Sequence, residues 1–156
     1  MSNETKANLS EPSIDHLQEL IRMNIDSSDG FDYAADQLES THTDLSNQFR
    51  GFSSERASFA RELQAIVERN DEAPVERGSL AASLHRTWMG TREMFGDKMD
   101  IHAIVAEAER GEDYIKEAYE TALEALAGGP LTETLRRQYA AVCRSHDLVR
   151  DLRDQS

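Results

Sequence analysis

Four stretches of the chain carry apolar residues that recur every three or four positions, which is the spacing of one face of an α-helix. The stretches cover residues 14–38, 45–66, 101–126 and 135–149. Each stripe is interrupted near its middle by polar side chains: Asn24 and Ser28 in the first, Arg56 in the second, Glu112 in the third and His146 in the fourth. Amphipathic helices of this length bury their stripes against one another. The pattern therefore predicts an all-α bundle with a polar layer inside an apolar core.

The boundaries of the helices indicate how they are connected. The predicted helices run over residues 13–39, 44–69, 100–127 and 131 or 132 to 153, with Ser13 as the N-cap of the first. Short turns join the first helix to the second and the third to the fourth, and the long segment between the pairs contains a shorter amphipathic helix. One long crossover is typical of ferritin-like bundles. We therefore predict a ferritin-like antiparallel four-helix bundle with a long crossover that contains a short extra helix.

The same pattern predicts the domain organisation. Residues 1–12 are polar and lack periodicity, so we expect a flexible N-terminal tail. Residues 13–156 are expected to form a single four-helix-bundle domain, since a chain of this length can bury one sizeable core.

The polar interruptions are predicted to meet at similar heights in the bundle. We expect them to form a structural polar core: Arg56, Glu112, His146, Asn24 and Ser28. Metal and cofactor sites of four-helix bundles are built from side chains that face one another in this way. Gly111 lies beside one of these positions, and it is expected either to admit a large neighbouring side chain or only to weaken the helix.

A di-metal centre of the ferritin-like kind uses a Glu from each of two helices and a Glu-x-x-His pair from each of the other two. The second helix has Glu55 three residues before Ser58, so the imidazole is missing. The fourth has His146 three residues after Cys143, so the carboxylate is missing. One hypothesis is therefore a mononuclear or altered site for iron or manganese, with ligands taken from this set: Glu55, Glu109, Glu112, His146 and Asp26.

The other hypothesis gives the layer a structural role. Arg56 lies on the inward stripe, and its positive charge would repel a dication. A guanidinium and the Glu112 carboxylate can instead form a charge-assisted pair inside a core. His146 is then a hydrogen-bonded histidine of the core or its boundary. This hypothesis is favoured, so no cofactor is expected, and iron or manganese belongs to the alternative.

Charge and hydropathy narrow the classes of partner. The chain has 30 Asp and Glu against 17 Lys and Arg, which gives a net charge of −13. This excess repels nucleic acid and anionic lipid, and no apolar segment approaches the length needed to cross a bilayer. Cys143 is the only cysteine, and no signal-peptide pattern begins the chain. We predict a cytoplasmic acidic protein that binds neither nucleic acid nor membranes.

Several longer motifs also resemble a known family. They are RASFARELQ (56–64), GSLAASLHRTW (78–88), ERGEDYIKEAYETAL (109–123) and QYAAVCRSHDLVRDLRD (138–154). These motifs are similar to those of the uncharacterised bacterial ferritin-like four-helix-bundle proteins of domain-of-unknown-function family 2383. The resemblance implies a ferritin-like bundle and supplies no activity, because fold alone does not imply function.

These observations lead to two functional expectations. The first is a non-enzymatic bundle that binds an unknown protein partner or forms a homo-oligomer such as a dimer, with a role in stress response. The alternative is a metal-binding ferritin-like protein, an iron or manganese oxidoreductase or store, that uses the mid-helix carboxylates and His146.

Overall fold

A computed structural model of the chain describes residues 9–78 and 100–155. Within these ranges the chain forms four α-helices, which are α1 (Glu11–Leu38), α2 (Thr43–Arg69), α3 (Ile101–Ala125) and α4 (Thr132–Gln155). The prediction of an all-α bundle is confirmed, and each helix end lies within two residues of its predicted position. The short helix predicted in the crossover falls in residues 79–99, outside the described ranges. No helix in the described part of the chain combines the length and apolar character that crossing a membrane requires.

The first helix begins earlier than predicted. Its N-cap is Ser10, whose hydroxyl accepts a hydrogen bond from the backbone N–H of Ser13 at 3.2 Å, so the prediction of Ser13 as the cap was wrong. The physical reason is Pro12, which fits the first turn of a helix because N–H groups there have no intrahelical acceptor. Asp100 caps α3 in the same manner, accepting from Ala103 at 3.0 Å.

Hydrogen bonds between α1 and α2 fix the relative direction of these two helices. The hydroxyl of Ser46, near the start of α2, donates to the backbone carbonyl of Ala35, near the end of α1. Further from the turn, the hydroxyls of Ser28 and Ser53 lie 3.0 Å apart. Since the partners move apart along the sequence, the two helices run in opposite directions.

The second pair of helices follows the same rule. Tyr119 of α3 bonds to Gln138 near the start of α4, and Glu112 bonds to Ser145 further along α4. Moving back along α3 therefore means moving forward along α4, so these helices also run in opposite directions.

The apolar core consists of two clusters, one toward each end of the bundle. Phe49 of α2 and Ile104 of α3 belong to the same cluster, whereas Leu63 of α2 and Ile115 of α3 belong to the other. The helices α2 and α3 therefore run in the same direction. Buried polar and charged side chains lie between the clusters: Ser53, Arg56, Glu109, Glu112, Ser145 and His146.

Gly111 and Tyr114 of α3 are both exposed. Gly111 is exposed, and a Cβ built there would meet nothing within 4 Å, so this glycine admits no neighbour and only weakens the helix. Tyr114 is 61% exposed. Both lie on the side of α3 that faces solvent.

Candidate functional site

A buried ion pair between Arg56 and Glu112 lies at the centre of the bundle. The Nη2 atom of Arg56 lies 2.9 Å and 3.1 Å from the two carboxylate oxygens of Glu112 and also contacts the hydroxyl of Ser145. The two charged side chains are 0% and 1% exposed. The ring centroid of Phe31 lies 6.0 Å from the guanidinium carbon, and Nη1 donates to the partly exposed Glu55 at 2.9 Å. All four helices contribute to this centre.

The charge balance of the centre is set by burial and by the guanidinium. Removal from water raises the pKa of Glu112 above its ordinary value. The positive charge of Arg56 and the hydrogen bonds from Ser145 and Arg56 oppose that rise. The arginine thus supplies the positive charge that a buried carboxylate requires.

A second buried polar layer lies on the side of the ion pair toward the Leu131 end of the bundle. The amide nitrogen of Asn24 donates to the Tyr119 hydroxyl at 2.8 Å, and that hydroxyl donates to Gln138 at 2.7 Å. Gln138 in turn donates to the partly exposed Glu62 at 2.7 Å. Burial raises the pKa of Tyr119, so its hydroxyl keeps its proton and links the chain of bonds.

The predicted single layer is therefore wrong in its grouping. Asn24 belongs to the layer of Tyr119, and the Ser28 hydroxyl bonds to Ser53 between α1 and α2. Only Arg56 and Glu112 of the predicted core residues bond directly to each other. The predicted core residues differ in height along the bundle axis by one helical turn or more. Stripes of equal period therefore do not bring all of them into one layer.

His146 lies at the edge of α3 and α4, where it forms a cluster with two carboxylates. Its Nε2 atom lies 2.6 Å from Asp113, and Nδ1 lies 3.4 Å from Asp147. One ligand atom each from Glu109, Asp113 and His146 lie within 4.8 Å of one another. Glu109 and His146 are each 8% exposed, whereas Asp113 is open to solvent. Two carboxylates and an imidazole form a donor set that suits a divalent transition metal.

The other predicted metal ligands do not join this cluster. Glu55 contacts Arg56, and Glu112 is held by Arg56 and Ser145. Asp26 is buried against the loop after α2, where a Cβ on Gly78 would overlap its carboxyl group. The described residues therefore bring together Glu109 and His146 of the predicted set and add Asp113.

Three important residues were missed at the sequence level. Gln138 and Ser145 are buried, each one position before a residue that was assigned to the stripe of the fourth helix. Asp113 lies four residues after Glu109, which puts both carboxylates on one side of α3. That i, i+4 spacing was the signal that could have identified it.

The comparison with known proteins gives a family and no activity. A search of proteins with curated functions finds no match. The model of a family described as "Domain of unknown function (DUF2383)" matches residues 13–125, which contain α2, α3 and all of α1 except its first two residues. The match covers well over half of the chain and agrees with the family that the sequence motifs resemble. The protein therefore belongs to the DUF2383 family of domains of unknown function.

Proposed function

We propose that this protein is a ferritin-like bundle that works by binding a protein partner or another copy of itself, and that it does not use a central di-metal centre for catalysis. Support for the ferritin-like assignment comes from the helix directions. Helices α1 and α4 run in one direction, and α2 and α3 run in the other. Because α2 and α3 are consecutive and parallel, the connection between them has to span the length of the bundle.

The observation that carries this proposal is the position of Arg56. Its guanidinium is fully buried and bonded to Glu112, the carboxylate best placed for a central metal. A dication there would face the guanidinium at short range in a medium of low dielectric constant, where repulsion between like charges is strong. The centre is thus satisfied by the protein's own charges.

The surface offers modest support for association. Among the described residues, the large apolar side chains that are exposed are Tyr114 and Leu148. Exposed tyrosines are frequent in protein interfaces because they combine a rigid apolar ring with a hydroxyl. A second copy or another protein would find this ring on the solvent side of α3.

Two measurements test the proposal. Light scattering coupled to size-exclusion chromatography should show a dimer, or a monomer that captures a partner protein. Metal analysis after loading with iron or manganese should show no bound pair of metals that depends on Glu112. Two equivalents of metal that disappear in Glu112→Gln would refute the proposal.

We also propose a cellular setting and a domain boundary. The two apolar clusters together draw on all four helices, which supports one domain over residues 13–156. Cys143 is a free cysteine, which fits the cytoplasm. Because Ser10 caps α1, limited proteolysis should cut first on the N-terminal side of that cap and leave the bundle intact; early cleavage between α3 and α4 would contradict a single domain.

As a second candidate function, we propose that the edge cluster binds one divalent transition metal. The supporting observation is the meeting of Glu109, Asp113 and His146 ligand atoms within 4.8 Å. The imidazole favours zinc, iron or manganese over magnesium and calcium. With three protein ligands, further coordination positions would stay open to water.

This metal hypothesis is tested by titrating the protein with Zn²⁺ and Mn²⁺ in a calorimeter. One equivalent should bind to the wild type and none to His146→Ala. The matched control is His42→Ala, because His42 is an exposed histidine in the turn before α2. Equal binding by both variants, or none by the wild type, would refute the edge site.

A further inference from the structure

Glu109 already holds a cation in the structure. The Nη1 atom of Arg153 lies 2.8 Å from one carboxylate oxygen of Glu109 and 2.7 Å from the other. The side chain of Glu109 is 10% exposed, whereas that of Arg153 is 41% exposed. The arginine thus reaches inward from the surface near the end of α4 and neutralises a nearly buried carboxylate of α3.

Arg153 has a second carboxylate to which it is bound at the same time. Its Nε and Nη2 atoms lie 3.1 Å and 2.9 Å from one oxygen of Asp154, which is exposed. If Nη1 left Glu109, the guanidinium would keep both hydrogen bonds to this Asp154 oxygen, and Nη1 would be hydrated by water. The arginine can therefore leave without becoming an unpaired buried charge, whereas Glu109 needs a replacement cation.

Arg153 and a bound metal ion would both use the carboxylate of Glu109. In the edge cluster, a metal would be ligated by Glu109 together with Asp113 and His146. A dication on one oxygen and a guanidinium across both oxygens would lie within a few ångströms of each other, so their repulsion disfavours simultaneous binding.

We propose that Arg153 is a resident cation that competes with a divalent transition metal for Glu109, so that metal binding displaces its guanidinium toward Asp154 and solvent. This inference rests on the edge metal site proposed above. It concerns one property of that site, namely that its affinity for metal is held down by the protein's own arginine.

The test is calorimetric titration with Zn²⁺, supported by the visible absorption of Co²⁺, on the wild type and Arg153→Gln. The matched control is Arg150→Gln, which removes the same charge one turn away. Arg150 contacts Asp147 and Asp151 at 3.5 Å and is 45% exposed. We expect Arg153→Gln to bind Zn²⁺ about tenfold more tightly than the wild type, the size of a typical coupling between two bound groups. Arg150→Gln should bind with nearly wild-type affinity, and so should Arg153→Lys, which keeps a cation at this position.

The outcomes separate the two proposals. If the wild type binds zinc but Arg153→Gln binds no more tightly than Arg150→Gln, the competition is refuted and the site stands. Weaker binding by Arg153→Gln would also refute the competition, since the arginine would then support the site. If neither the wild type nor Arg153→Gln binds zinc or Co²⁺, the site and the competition both fail. Loss of binding in Arg153→Gln/His146→Ala would show that the tighter binding occurs at the edge cluster.

Discussion

The central ion pair makes a strong prediction about stability. Arg56 is 0% exposed and Glu112 is 1% exposed, so Arg56→Leu would leave the carboxylate in the core with the Ser145 hydroxyl as its remaining partner among the described residues. Removing one member of a buried charge pair costs about 3–5 kcal/mol of the free energy of unfolding. Since about 1.4 kcal/mol corresponds to a factor of ten, the folding equilibrium would fall by roughly two to nearly four powers of ten.

A double replacement separates two contributions to the free energy of unfolding: the cost of burying an unpaired charge and the net contribution of the ion pair. In Arg56→Leu/Glu112→Leu, neither charge is left behind, and apolar side chains fill a space between two apolar clusters. The Nε–H of Arg56 has no acceptor among the described residues, so both variants remove a buried unpaired donor, and they differ only in whether the Glu112 carboxylate stays in the core. We therefore expect the double variant to be more stable than Arg56→Leu alone, because breaking a buried pair costs more than replacing it.

Urea denaturation followed by far-ultraviolet circular dichroism measures both effects. The matched control is Arg50→Leu, which removes an arginine of α2 that pairs with Asp36 at 2.8 Å on the surface. Because both of those side chains are well exposed, we expect a change within about 1 kcal/mol. A loss in Arg56→Leu no larger than in Arg50→Leu would refute the buried-pair argument, and so would a double variant less stable than Arg56→Leu.

Three further predictions follow from the neighbouring side chains. Because burial raises the pKa of Glu112, the native state keeps a proton that the unfolded chain releases near the ordinary value of 4.5, so Glu112 lowers stability as pH rises from there. The free energy of unfolding of the wild type minus that of Glu112→Gln should therefore fall as the pH rises above 4.5, and an increase would contradict the raised pKa. Tyr119→Phe leaves the buried Gln138 oxygen without its donor and should cost about 1–3 kcal/mol. Tyr139→Phe removes a hydroxyl whose bond to Glu120 is exposed, so it should cost less, and equal losses in urea denaturation would argue against the buried chain of bonds. Gly111→Ala should stabilise α3 by about 1 kcal/mol in the same assay, since the added methyl meets nothing, and a destabilised variant would show a hidden neighbour.

The helices could be predicted from the sequence because their signals are local. Apolar spacing of three or four residues defines each buried face, and the Gly128–Pro130 segment marks the end of the third helix. Helix ends were placed within two residues. The start of α1 was placed two residues too late, because a helix accepts proline in its first turn and Pro12 lies there.

The inward face of α4 was harder to predict for a geometric reason. Leu135, Val142 and Val149 belong to it under any choice, because they lie seven residues apart. The intervening members can be taken one residue earlier or later, and both choices fit a helical stripe. We predicted the later set, which includes His146, whereas the residues that bond inward are Gln138 and Ser145.

The edge cluster could not be predicted from the periodic pattern of apolar residues. Its members come from two helices and lie on the rim of the buried face, where both exposed and buried side chains occur. The contact of Arg153 with Glu109 joins residues 44 apart in the sequence. Nothing in the sequence selects that partner over the neighbouring acidic side chains, so the pairing needed the packed structure.

The two buried polar layers have a further consequence for how α3 and α4 align. Tyr119 faces Gln138 and Glu112 faces Ser145, so the layers are seven residues apart on both helices. Apolar stripes alone would tolerate sliding one helix by seven residues, since the same face stays buried. Such a slide would set Leu152 opposite Glu112 in one direction and Leu131 opposite Tyr119 in the other. Each misalignment would strand a buried polar group at a cost of about 1–3 kcal/mol or more. The polar layers therefore fix the register of α3 against α4, because sliding either helix by seven residues leaves a buried polar group without a partner.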